Sequence, residues 1–460
     1  MNAFERETLS RLPLAEAVFR LMRYSLEDRF LSNLFDRHRG TGSEQKVSFG
    51  SVVKLVSDAL LKHGGSGRQS FKAAREAGEL EATDAAVYGK LRRLRPELSE
   101  AFLAEATGRL RELMPEGSSD VPPSLREFQV FVMDGKKLKK FPKRLKALRA
   151  VNGKMLGGKV VAGLLLNEGL VVSMHASLDG EANDAPLVPA LVEDCARRFP
   201  GRHLYVGDRQ FCDLTIPPLI EEKGHFFLIR YSRKMRFFPE RECENRDAQG
   251  RRVRQAWGWL GSPRDARRKY VRTITLVREG DEDVILITNL LDEDAYGADP
   301  LLELYLARWS IERVFQQLTE IFHLQTLVGS SPQGAVFQFA LCSLLYNLVQ
   351  AVRAYIAEAQ SRPARSLSTE MIFGDVCDQL IAAALFIPPD RVADMLSPPP
   401  SAEETRARLK TLLHGPWSDL WIKCPAKKKS RPQPRIAVPG GHSSAWRTLQ
   451  RAKLRSKALR

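Results

Sequence analysis

Between Leu301 and Phe322 the chain reads LLELYLARWSIERVFQQLTEIF, and three of its side chains have the types and spacing to act together: a phenol, a guanidinium and a carboxylate. At roughly 100° per residue, Leu304, Ile311, Phe315, Leu318 and Phe322 fall on one apolar stripe of a helix. Tyr305, Arg308 and Glu312 follow at i, i+3 and i+7, within an arc of about 60° beside that stripe. They sit at the edge of a core, where water is scarce and charges interact strongly. The stretch is rich in helix formers, holds no Gly or Pro, and follows Pro300, so it predicts one helix from Leu301 to Phe322.

The pattern Tyr-x-x-Arg-x-x-x-Glu inside YLARWSIER resembles the signature of the DDE transposases of bacterial insertion sequences, family four. That family continues with Lys seven residues after Glu, whereas this chain has Thr319 there. The resemblance implies two earlier aspartates, each at the end of a strand. EFQVFVMDGKK meets the first requirement: Phe128 to Met133 read as a strand buried on both faces, ending at Asp134-Gly135. HLYVGDRQFCD meets the second, with a short apolar strand ending at Asp208. An acid at the end of a buried strand is costly unless it has a task or a partner.

The elements that position these residues follow in order. GGKVVAGLLLNEGLVVSMHASL predicts two strands joined by Asn167-Glu168-Gly169. DAPLVPALVEDCARRF predicts a helix, CDLTIPPLIEEKG another, and HFFLIRY a strand. Three strands, a helix, a strand, a helix and a strand give an α/β, ribonuclease-H-like (retroviral-integrase-like) order. In that fold Asp134 and Asp208 end on adjacent strands. Residues 231–288, Arg-rich and holding Trp257 and Trp259, look like the β-rich insertion such transposases carry before the Glu. They end in two strands, YVRTITLV and DVILITNLL. Domain bounds follow: helical and DNA-end-binding at 1–121, catalytic at 122–350, helical at 351–420, and a mobile basic tail at 421–460.

At 460 residues and 43% hydrophobic content the chain suits a globular protein of two or three domains. A net charge of +16 suits a polyanionic partner. The charge is clustered: residues 135–167 hold ten Lys/Arg and no acid, and 421–460 hold twelve and no acid. The six cysteines form no CxxC pair, which argues against a zinc site or disulfide framework and for a reducing compartment. MNAFERETLSRL does not read as a secretory signal. The run AVFQFALCSLLYNLVQAV approaches membrane length, but its polar interruptions predict a buried helix. In the first 120 residues five helical segments are expected. One, capped by Thr83 or Asp84, presents Tyr88, Lys90, Arg92, Arg93 and Arg95.

The resemblance implies an enzyme that binds the ends of its element, cuts DNA and joins the 3′ ends to target DNA. Asp134, Asp208 and Glu312 are its expected metal ligands, with Mg²⁺ as the cofactor and Mn²⁺ as a substitute. Hard oxygen donors suit Mg²⁺, and a two-metal site can serve both the attacking and the leaving oxygen. Tyr305 and Arg308 are expected to hold a phosphate. Arg209, Lys136, Lys137 and Thr319 are further candidates for DNA contact, and Trp257 is the candidate for a flipped base. The expected partners are double-stranded DNA and a second copy of the chain, in the bacterial cytoplasm on the nucleoid, with no membrane. Two alternatives share the fold: a nuclease without strand transfer, and a silent DNA-binding remnant.

Overall fold

The computed structural model describes residues 3–40, 46–115, 119, 121–278, 280–387, 391, 401–423 and 441–458. Its centre is a nine-stranded mixed sheet. In chain order the strands are β1 (Phe128–Lys137), β2 (Lys154–Leu156), β3 (Lys159–Leu165), β4 (Leu170–Ser177), β5 (Arg202–Gly207), β6 (Phe226–Arg230), β7 (Phe237–Arg246), β8 (Arg252–Leu260), β9 (Lys269–Leu276), β10 (Val284–Thr288) and β11 (His442–Ser444). The large sheet runs β4-β3-β1-β5-β6-β10-β9-β8-β7, and β2 and β11 form a separate parallel pair. The first five positions fit the expected ribonuclease-H-like order. β1 pairs antiparallel with β3 and parallel with β5, with Val132 opposite Val206. The expected hairpin after Leu165 is present, with Gly169 at φ +71°, a conformation that glycine adopts without steric cost.

Among the described residues sixteen helices can be numbered in chain order. α1 to α7 are Ala3–Ser10, Pro13–Ser25, Asp28–His38, Phe49–Lys62, Gly67–Glu76, Asp84–Arg93 and Pro96–Arg111. α8 is the short Lys146–Arg149, and α9 and α10 are Val188–Arg198 and Ile216–Glu222. α11 to α16 are Ala298–Ala307, Trp309–Glu320, Pro332–Ala359, Thr369–Phe386, Ala402–His414 and Ala445–Ala458.

Strand alternation assigns the two faces of the sheet. Val130, Val132, Leu204 and Val206 join one core with α12, α13 and the N-terminal helices. Phe131, Met133 and Tyr205 join the other, with α9 and α10. α13 is long and apolar enough to cross a membrane, yet its most apolar window is wholly buried in the protein. Its polar residues explain why. Asn347 accepts from the Val171 N–H at 2.9 Å and donates to the Val171 carbonyl at 2.8 Å, completing the backbone bonds of β4. Gln338 does the same for the loop after α12, accepting from the Val328 N–H and donating to the Thr326 carbonyl.

Several expectations change. The helix expected over 301–322 is two, α11 and α12, meeting at Arg308. There Arg308 N–H donates to Tyr305 and Ile311 N–H to Arg308, i→i−3 bonds that tighten the turn and break the regular ladder. The insertion after β6 is not a separate module: β7 to β10 extend the main sheet through β10, which pairs antiparallel with β6. The boundary at 350 falls inside α13. Within α6, Thr83 is the cap and accepts from Ala86 N–H. Lys90 is buried over the Phe35 ring rather than presented to solvent. Of the expected mobile tail, residues 424–440 lie outside the described residues, while 442–458 form β11 and α16.

Candidate active site

The strand expected to end at Asp134 runs on to Lys137 in its pairing with β3, so Asp134 lies within β1, whereas Asp208 directly follows β5; each is two residues beyond the Val132–Val206 pair. By alternation both continue the face of Val132 and Val206, the face covered by α12, the helix that carries Glu312. Burial pushes the Asp134 carboxyl up to about 6. The Gly135 N–H and Arg308 oppose the rise, while the charges of Asp208 and Glu312 add to it. Those two charges act on Asp134 because the three acids, 178 residues apart at the extremes, share one neighbourhood.

Each acid also has a local donor. Asp134 accepts from the Gly135 N–H at 2.8 Å, and Asp208 accepts from the Gln210 N–H at 2.8 Å, capping the short 3₁₀ turn Arg209–Phe211. Glu312 receives Arg308 Nη2 at 2.9 Å. Among the described residues no three His, Cys, Asp or Glu side chains are arranged around a single ion position. The donor chemistry nonetheless fits a hard divalent cation: three carboxylates, two of whose charges raise the pKa of Asp134, a repulsion that a cation relieves.

Above the acids, Tyr305 and Arg308 are 3% and 5% exposed. Burial raises the Tyr305 pKa against the opposing charge of Arg308; among the described residues neither the Tyr305 O–H nor the Arg308 Nε–H finds an acceptor. A buried donor without an acceptor costs about 1–3 kcal/mol, so the pair is arranged for an acceptor that arrives from outside. Two donors, one charged, suit a phosphate oxygen.

The other expected contacts divide. Lys137 is exposed, but Lys136 is half-buried, and its Nζ donates to the Phe315 carbonyl at 3.3 Å, tying β1 to α12. Arg209 pairs with Glu282 at 3.1 Å. The Thr319 hydroxyl donates to the Phe315 carbonyl at 2.6 Å, so its proton stays within the helix. Trp257 is 5% exposed, its indole N–H donates to Leu291, and Arg241 stacks over it at 4.4 Å. It is a structural residue of the sheet and offers no open ring to a base.

Two residues escaped the sequence. Trp309 is 53% exposed, its ring 5.5 Å from the Arg308 guanidinium. An aromatic off the apolar stripe was the available signal. Asp184 is buried behind the site and pairs with the buried Lys159 at 2.5 Å. A Cβ at Gly135 would stand 2.3 Å from the Asp184 carboxylate, so the residue after Asp134 must be glycine for this pair to fit. Nothing in LDGEAND marks Asp184 apart from its acidic neighbours.

No curated protein sequence matches the chain. Among solved structures, a cryo-EM structure of a piggyBac transposase synaptic complex with hairpin DNA is similar at 10% identity, covering 90% of this chain and 88% of that one. Its TM-score of 0.33 is too low to bear on fold or function. Residues 126–348 match the family model of the transposase DDE domain. A divalent metal is what that domain implies in general. The segment that carries Asp134, Asp208 and Glu312 is thus similar to the transposase DDE domain, which supports a DDE transposase.

Proposed function

We propose that this chain is a cut-and-paste transposase of a bacterial insertion sequence, of family four, with Asp134, Asp208 and Glu312 as its metal ligands. It acts in the cytoplasm, as a homodimer on the paired ends of its element. The observation that carries the reading is the common register of Asp134 and Asp208 on adjacent strands, with Asp134 responding to the charges of both other acids.

Bound Mg²⁺, or Mn²⁺ in its place, supplies Lewis acidity and a more acidic bound water for phosphodiester chemistry. The chain's own residues do the positioning. Arg308 and Tyr305 turn unpartnered donors toward a phosphate oxygen and fix the strand beside the acids. Arg308 also holds Glu312 from four residues away on the same face. Lys136 holds α12 against the strand that carries Asp134. Lys137 is left to meet the backbone of the DNA.

The test is an assay with element-end duplexes and Mg²⁺, run with intact and with pre-cleaved ends. Metal-dependent cutting followed by joining of pre-cleaved 3′ ends is expected. Cutting without joining would favour a nuclease on the same fold. Salt-sensitive binding with no cutting in Mg²⁺ or Mn²⁺ would mark a silent remnant.

A further inference from the structure

The strand that carries Asp134 does not stop at the active site. Past Lys137 it continues as a two-stranded arm, in which Leu138 N–H donates to Gly158 and Phe141 N–H to Met155. The arm belongs to the 135–167 stretch that holds ten Lys/Arg and no acid. Against it lies the end of the chain. β11 adds to β2 in parallel register, His442 opposite Lys154 and Ser444 opposite Leu156, and α16 packs on α8.

A parallel pair of three residues is too short to hold by itself. A latch completes it. Arg447 pairs with Asp179 at 2.6 Å and with Glu181 at 2.5 Å, and Glu181 also accepts the Ser444 N–H. Ser444 and Ala445 are buried at the join. Beyond Arg447 the acids end. Arg451 and Arg455, at i and i+4 on one face of α16, are exposed and have no acidic partner among the described residues. Two basic elements, α8 with its arm and α16, are thus held side by side by a single acidic anchor. Their fields add, and what such a face attracts is a polyanion.

We propose that α16 and the basic arm form one phosphate-binding face for duplex DNA, latched by Arg447 and continuous with the strand that leads to Asp134. This rests on the reading of the chain as a DNA-cutting enzyme and adds the surface that holds the flanking duplex. At about 3.3 Å per residue, the arm tip near Phe141 is roughly 20 Å along the strand from Asp134, so the contacts fall several base pairs from the cut. The face recognises backbone and not bases, so it binds duplexes of any sequence.

The test uses the full chain and a short fluorescent duplex of arbitrary sequence, titrated across salt concentrations. R451E/R455E is expected to weaken binding at least thirtyfold at about 150 mM salt and to lower the slope of log K against log salt by about 2. Arg447→Ala, which opens the latch without touching the outer arginines, is expected to lower the slope in the same direction. Unchanged slopes in both variants would overturn the proposal. Metal-dependent cleavage by the unaltered chain is read on an element-end duplex in parallel. Cleavage there with unchanged slopes removes this surface and leaves the enzyme reading standing, whereas lowered slopes without cleavage leave the surface and remove the enzyme reading.

Discussion

Lys136 Nζ donates to the Phe315 carbonyl at 3.3 Å, joining the strand of Asp134 to the helix of Glu312. The bond lies two residues from one acid and three from the other. It therefore sets the spacing between β1 and α12 where that spacing decides whether the acids can share a cation. Lys136→Met keeps much of the stem packing over Phe315 and removes the tie. It is expected to lower the cleavage rate by about 10²-fold, the scale of a misplacement near 1 Å, while DNA affinity stays near normal. Loss of binding in proportion to cleavage would instead make Lys136 a DNA contact.

Gly135, next in β1 after Asp134, meets Asp184 on the reverse side of the strand. Gly135→Ala drives a methyl into the Asp184 carboxylate and is expected to cost about 1–3 kcal/mol by overpacking. Asp184→Ala leaves the Lys159 ammonium buried alone, expected at about 3–5 kcal/mol. Urea unfolding of both variants ranks them. An Asp184→Ala protein as stable as the parent would show that Lys159 escapes to water.

How much of this was legible beforehand depends on where the signal sat. Asp134 and Asp208 could be found because an apolar run closed by one acid is a local pattern, although only Asp208 ends its strand while β1 runs on to Lys137, and Thr83 because a cap is read from the helix it starts. The break at Arg308 had no such mark: no Pro or Gly causes it, and only the i→i−3 bonds reveal it. Asp184, the burial of Lys90 under Phe35 and the return of 442–458 to β2 depend on partners far along the chain, which no window of sequence contains. The strands of the insertion were partly visible, but not that β10 would dock on β6.

Thr319 stands where the resembling family has lysine. Its hydroxyl bonds Phe315, so it adds no donor to the surface. Thr319→Lys is expected to tighten DNA binding and to steepen the salt dependence by about one phosphate contact, read by titration at several salt concentrations. Weaker binding would place the DNA elsewhere than along α12.

His203 gives a pH dependence away from the site. It is fully buried and stacked on His225 at 4.1 Å, and its Nε2–H donates to the Phe199 carbonyl. Burial first, and then His225, push its pKa from 6.5 down to about 4. Between those values the unfolded chain binds the extra proton and the folded one does not. Stability is thus present at neutral pH and lost as pH falls toward about 4, by about 3 kcal/mol. Urea midpoints across that range should flatten in His203→Phe relative to the parent. An equal fall in both would assign the acid sensitivity to other groups.

The central claim, that Asp134, Asp208 and Glu312 converge on shared divalent cations, has a direct physical test. Fe²⁺ loaded in place of Mg²⁺ and treated with ascorbate and peroxide cuts the polypeptide only near the bound metal. Fragments ending beside all three residues, suppressed by excess Mg²⁺ and absent from Asp134→Ala, are the expected result. Cuts confined to one of the three, or gathered elsewhere in the chain, would contradict it.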